Sequence, residues 1–215
     1  MISEIRFVAS RADDDDDDED EDKPDNDKAK TLPGPFVAVQ QTLFKARTVL
    51  IFGEINQKVA QDTVAQLLAL AAQGDDPIKL VINSPGGHVE SGDTIHDMIG
   101  FIKPTVLVLG TGWVASAGAH IYLGAQRKNR YCLPNTRFLI HQPLGGAGGP
   151  ATDIAIEAKE IIKMRRRINE VIARETGQPL EKVEQDTDRN YWMSAQEAKE
   201  YGIVTNIISS MDKFG

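Results

Sequence analysis

One cysteine among 215 residues, Cys132, excludes an internal disulfide framework and suits a reducing compartment. Its setting, Arg130-Tyr131-Cys132-Leu133, reads as a small core residue rather than a reactive thiol. No apolar run approaches the roughly 18 residues that span a bilayer. The first residues also lack a basic-then-apolar leader pattern. These absences predict a cytoplasmic protein with no membrane contact. No Gly-x-x-x-x-Gly-Lys-Ser/Thr loop is available to cradle a nucleotide, and no His, Cys and carboxylate cluster has metal-ligand spacing. We therefore expect no cofactor and no metal. A basic excess is missing too: the net charge is −8. The stretch 11–30 alone accounts for it, with twelve acidic side chains against four basic ones, so residues 31–215 are neutral. Nothing here favours a nucleic-acid partner.

What is present divides into two parts. Residues 1–33 form an acidic extension whose run Asp13–Asp22 repels itself and holds nothing apolar, which predicts disorder over 9–33. Only Ile5-Arg6-Phe7-Val8 within it could dock anywhere. Residues 34–215 are long enough for one sizeable core, with order expected from about Phe36. Buried-strand patterns occur at Val49–Phe52, Ile78–Ile82, Thr105–Leu109, Arg130–Leu133 and Arg137–Ile140, with a last one among Ile203-Val204 and Ile207-Ile208. Helical spacing runs from Val59 to Ala71, from about Ser91 to Ile102, over about 152–175, and from the capping box Ser194-Ala195-Gln196-Glu197 to Tyr201. Strand and helix alternate, so the class is α/β with substantial parallel pairing. The long helix is apolar over a wide arc, which predicts that it packs on more than its own domain.

Four stretches could carry chemistry. Ser116 lies between small residues where the strand Thr105–Leu109 gives way to the helical pattern Ala119–Leu123. A serine there either caps the helix or presents its Oγ as a nucleophile beside unpaired N–H groups. Gly86-Gly87 follows a strand and can bring an unhindered N–H close to a ligand. His141 ends another strand, at the edge where α/β ligand sites form; His88, His96 and His120 compete with it, and His120 reads as packing. A third group that orients a catalytic histidine could be Asp186, Asp188 or Asn190, and spacing does not choose among them.

Taken together these blocks resemble ClpP, the proteolytic-subunit family of the ATP-dependent Clp proteases. The matching segments are Ile82-Asn83-Ser84-Pro85-Gly86-Gly87, Phe101-Ile102-Lys103-Pro104, Ala115-Ser116-Ala117-Gly118-Ala119 and Cys132-Leu133-Pro134-Asn135. They continue with Ile140-His141-Gln142-Pro143-Leu144-Gly145-Gly146, Ala151-Thr152-Asp153-Ile154 and Met193-Ser194-Ala195-Gln196-Glu197-Ala198, in the family's order over residues 43–208. The resemblance implies a crotonase-like repeated ββα spiral with a protruding handle helix, and two stacked heptameric rings around a proteolytic chamber. It implies Ser116 as nucleophile, His141 as general base and then acid, and the N–H groups of Gly87 and Ala117 as oxyanion hole. Val89 and Leu144 would flank a groove for extended substrate, and Asp188 and Arg189 would lie at the ring interface. Unfolded chains would be the substrate, delivered by a Clp-family AAA+ ATPase.

The chain departs from the family pattern in three places. Asn190 stands at the position of the catalytic aspartate, with Asp186 and Asp188 as fallbacks. The strand Ile78-Lys79-Leu80-Val81 lacks the aromatics that help grip the ATPase, and the acidic extension replaces the usual short propeptide and axial loop. At a pore, that extension would favour basic chains over acidic ones. Asn190 also motivates an alternative: a weakly active or non-catalytic paralogue that co-assembles with another ClpP ring. A crotonase-type hydratase has less support, because no glutamate pair flanks the glycine turns and Ser116 and His141 would be left without a role.

Overall fold

The computed structural model describes residues 35–146 and 148–215. The acidic extension and its Ile5–Val8 segment lie outside the described residues, as does the expected disorder of 9–33.

The strand–helix alternation builds one sheet in the order β1-β2-β3-β4-β7, all parallel. Its first members are β1 (Thr48–Phe52), β2 (Ile78–Ser84) and β3 (Val106–Ala115). β4 (Arg130–Cys132) and the two-residue β7 (Asn206–Ile207) follow. In β2, alternate residues Ile78, Leu80, Ile82 and Ser84 are fully buried, the period-2 signature of a strand covered on one face. Covering that face are α2 (Gln57–Gln73), with Leu67 and Leu70, and α3 (Val89–Phe101), with Ile95 and Ile99. Asn56 accepts from the Val59 N–H to start α2, and Gly74, at φ +153°, ends it.

β3 is longer than the sequence pattern suggests. The expectation was a strand ending at Leu109; instead the chain continues through Gly110-Thr111-Gly112 to Ala115. A bulge makes this possible: Ile82 pairs with Gly110 but Ser84 pairs with Val114, and Gly112 takes φ +60°. The added length gives β3 two successive neighbours on one edge. Val108–Gly110 pair with β4, and Trp113–Ala115 pair with β5 (Arg137–Ile140), also in parallel. The Pro134-Asn135 turn moves the chain between them, and Thr136 Oγ1 donates to Gly110 O at 2.9 Å to close the gap.

Other elements depart from the sequence expectation more simply. A helix α1 (Pro35–Lys45) precedes β1, and Ile203-Val204 are buried but not strand. The acidic stretch around 184–192 forms the end of a helix α6 (Leu180–Asp186) and then a strand β6 (Tyr191–Ser194), antiparallel to β5. The remaining helices are α4 (Ala117–Leu123), α5 (Ala151–Thr176) and α7 (Ala195–Tyr201). α7 opens with the expected capping box, in which Ser194 and Glu197 satisfy each other's backbone N–H. Gly177 ends α5 and Gly202 ends α7, both in the left-handed region that a helix stop requires.

At its base α5 is anchored by a buried cation. Arg130, with no exposed surface, donates to the carbonyls of Leu123, Ala125 and Glu175 at 2.8–2.9 Å and pairs with the Glu175 carboxylate. Burial pulls the Arg130 pKa down, and Glu175 opposes that pull. Toward its other end, α5 exposes Ile154, Ile156 and Ile162. No helix among the described residues is long and apolar enough to cross a membrane.

Candidate active site

The carboxyl ends of β2, β3 and β5 deliver, respectively, the Gly86-Gly87 turn, Ser116 and His141. Ligand sites of parallel sheets form at this edge because the strand ends release the chain there into turns and helix starts.

Ser116 is strained and held. Its backbone sits at φ +55°, ψ −119°, outside the regions a non-glycine residue ordinarily adopts. Its N–H donates to Leu139 O at 2.9 Å and its carbonyl accepts from the His120 N–H at 3.0 Å. Both neighbours thus fix the turn. The side chain makes no capping hydrogen bond to α4, so the helix-cap reading of Ser116 is set aside. Ser116 as a whole is half-buried.

The glycine turn lies directly against this serine. A Cβ built on Gly86 would fall 2.6 Å from Ser116 Cβ and 3.1 Å from its Oγ. On Gly87 the same atom would meet Ile55 O at 2.1 Å. Both residues also need positive φ, +103° and +148°. The turn is clamped by Ile55, whose N–H donates to Gly86 O at 2.8 Å and whose carbonyl accepts from the His88 N–H at 2.8 Å. That parallel bridge leaves the Gly87 N–H out of the pairing. Ala117, as the first residue of α4, has no acceptor for its N–H within its own helix.

His141 is half-buried and lines one cavity with Ser116, whose other walls include Val89, Ala119, Ile140 and Ile172. Burial lowers its pKa, which favours the neutral imidazole that a base requires. No hydrogen bond joins Ser116 to His141 among the described residues; such contacts often tighten only with substrate bound.

The three candidates for the third group differ in where strand pairing puts them. Ile140 pairs with Tyr191 at the end of the antiparallel β5–β6 ladder, so His141 and Asn190 are the residues next to that last pair. Gln142 fastens the adjoining loop, its N–H on Thr187 O at 2.6 Å and its Nε2 on Asp188 O at 2.7 Å. The two aspartates are engaged elsewhere. Asp186 accepts from Tyr201 Oη at 2.8 Å and from Lys182 Nζ at 2.6 Å, and Asp188 lies 3.2 Å from Arg165 Nη2. Arg189 is exposed beside it. Val89 and Leu144 flank a second cleft with Gly87, Ile161 and Met164; Leu144 is 85% exposed.

The competing histidines have other tasks. His88 caps α3, its Nδ1 accepting from the Ser91 N–H at 3.3 Å. His96 and His120 stack on each other, ring centroids 4.5 Å apart. His120 packs as expected, 6% exposed in that stack, and it also lines the cavity that holds Ser116 and His141. Its position one helical turn beyond Ser116 was the available signal.

Sequence and structure comparisons agree with this architecture. The model of the Clp protease family matches residues 35–211. A relative from Rhizobium etli, named ATP-dependent Clp protease proteolytic subunit 3, is 59% identical over 86% of this chain and 95% of its own length. One from Gluconobacter oxydans, named proteolytic subunit 2, is 57% identical over 95% of this chain and 92% of its own. Among solved structures, ClpP1 from Listeria monocytogenes is 59% identical, with TM-score 0.74 over 82% of this chain and 99% of that one. An asparagine-to-aspartate mutant of that ClpP1 gives TM-score 0.77 over the same shares. The chain belongs to the Clp protease family and has its α/β fold.

Proposed function

We propose that Ser116 and His141 carry the serine-peptidase chemistry of this Clp proteolytic subunit. The observation that supports this most directly is the strained, uncapped Ser116 pressed against the Gly86-Gly87 turn. In this reading Ser116 Oγ attacks the scissile carbonyl while His141 accepts its proton, then returns it to the leaving amine. The carbonyl oxygen becomes an oxyanion between the N–H groups of Gly87 and Ala117, which are fixed before reaction begins. Asn190, next to the same last strand pair as His141, orients the imidazole through its side-chain oxygen but brings no charge to balance the imidazolium. Asp186 and Asp188, paired with other side chains, are the weaker candidates for that role.

Substrate enters as an extended unfolded chain, gripped in the cleft beside Gly87, Val89 and Leu144 by added-strand pairing. We place the subunit in the cytoplasm, in two stacked heptameric rings made with other ClpP subunits, with Asp188 and Arg189 at the ring contact. The exposed isoleucines of α5 are the apolar surface that such stacking would cover. A Clp-type ATPase feeds the chamber, since the chain has no nucleotide loop of its own. Nothing in the comparisons favours a non-catalytic paralogue.

The test is degradation of a natively unfolded polypeptide by the assembled full chain, with and without a Clp ATPase, against Ser116→Ala. Cleavage by the wild type and none by the variant is expected. Equal cleavage by both would overturn the assignment.

A further inference from the structure

The two faces of the sheet are covered unequally. Ile78, Leu80 and Ile82 of β2 join the main core with α2 and α3. The alternate residues point away from that core, and the register lines them up across strands: Leu50 beside Val81, Val81 beside Leu109, Leu109 beside Tyr131. Strands of a parallel sheet are ordinarily buried on both faces. Among the described residues, a strap of 209–215 that follows β7 covers one end of this second face. At the other end Leu50 and Phe52 are 44% and 54% exposed. One side chain holds the strap. Phe214, 3% exposed, packs with Leu107 and Ile208 in a cluster separate from the main core. Its ring meets Tyr131 edge-on, centroids 5.3 Å apart, and Lys79 Nζ stands 5.5 Å from its centroid. Backbone pairing with the sheet stops just before the strap, where the Ile208 N–H donates to Cys132 O at 2.9 Å. The amides of Lys213 and Phe214 donate within the strap, to Ser210 O and Met211 O. Among the described residues no hydrogen bond or ion pair ties 209–215 to the strands. A segment held by one apolar side chain opens locally while the rest of the fold stays intact.

We propose that the 209–215 strap is a displaceable plug: it occupies, within its own chain, a groove that receives an aromatic-bearing segment of another polypeptide, and it must lift before that segment can enter. The chemistry of the partner is read from the present occupant, a flat ring against Leu107 and Tyr131 with the Lys79 ammonium beside it. The groove runs on through Leu109 and Val81 to the open patch at Leu50 and Phe52. An extended segment therefore gains apolar contact that the strap does not reach. While the strap is seated, the partner's apparent affinity is scaled down to the fraction of subunits that are open. The proposal goes beyond the peptidase reading and does not depend on Ser116.

The probe is a synthetic peptide of the 209–215 sequence with photoreactive benzoylphenylalanine in place of its phenylalanine, irradiated with the assembled full chain. Adducts should map to β2, β3 and β4. Their yield should be about tenfold or more higher on Phe214→Ala than on the wild type, the scale set by removing one buried aromatic side chain. Phe214→Leu, which keeps an apolar plug, should stay below Phe214→Ala. Unlabelled peptide should compete, and the same peptide with serine for phenylalanine should not. Equal yields on wild type and Phe214→Ala, or adducts confined to other surfaces, overturn the proposal. Hydrogen exchange of the wild type, read by mass spectrometry, tests the strap without a substitution. Residues 209–215 should exchange about tenfold or more faster than 203–208, whose amides are bonded to the body of the fold. Equal protection of the two segments would show that the strap does not lift, and overturns the proposal as well.

Discussion

Gly86 and Ser116 occupy adjoining space so closely that no side chain fits between them: a Cβ on Gly86 would lie 2.6 Å from Ser116 Cβ. The turn that carries the Gly87 N–H therefore packs directly on Ser116 and is clamped by Ile55. Gly86→Ala should displace one or the other, and Gly86 also sits at φ +103°, where an alanine is strained. Peptidase kcat should fall by about 10²-fold or more, the usual effect of removing an oxyanion donor. Assembly, read by native mass spectrometry, should persist.

Asn190→Asp should raise activity. In trypsin-type enzymes the reverse change, aspartate to asparagine, lowers kcat about 10⁴-fold, which bounds the gain from above. The pH profile should move with it. Burial holds the His141 pKa below its ordinary value, so the wild-type imidazole stays neutral and kcat/KM is kept as pH falls below neutrality. A carboxylate at position 190 favours the imidazolium and raises that pKa, so the acidic limb shifts to higher pH in the variant. A gain in rate without the shift would mean that the new carboxylate acts elsewhere.

Arg130→Met should destabilise the fold by about 3–5 kcal/mol, the scale for breaking a buried ion pair on one side. Glu175 and the carbonyls of Leu123 and Ala125 lose their donor together. Urea unfolding of the wild type and of Arg130→Met measures the difference. A change under about 1 kcal/mol would show that water replaces the guanidinium at no great cost.

Acid should weaken the fold through His96. Burial, and then the neighbouring His120, lower its pKa below the ordinary 6.5, with Asp97 opposing in part. As pH falls through 6.5 the unfolded chain takes up a proton before the native one does. Stability is thus complete above that pH and is lost as pH falls from 6.5 toward the native pKa. The urea midpoint should drop between pH 7.5 and pH 5.5, and His96→Phe should show a smaller drop. His141 adds a change of the same sign in both proteins, so the difference between them isolates His96.

Much of this arrangement can be read in the chain itself, because the signals are local. The capping box at Ser194, the glycine stops at 177 and 202, the glycines of the 86–87 turn and the strand end at His141 each depend on a few adjacent residues. What sequence hides depends on distant partners. β3 continues past Leu109 because β5 pairs with its second half, a contact no local pattern announces. Asn190 stands next to the last β5–β6 pair, Ile140–Tyr191, a relation that spacing along the chain does not announce. His120 lines the cavity from α4 while it stacks on His96 of α3, a contact between two elements that no local pattern announces.

The assignment of Ser116 as nucleophile is tested most directly by a fluorophosphonate probe on the assembled full chain, with the modified residue located by peptide mass spectrometry. The adduct should appear on Ser116 alone, vanish in Ser116→Ala and slow sharply in His141→Ala. An adduct on another serine, or none on wild-type protein shown to be assembled, would contradict it.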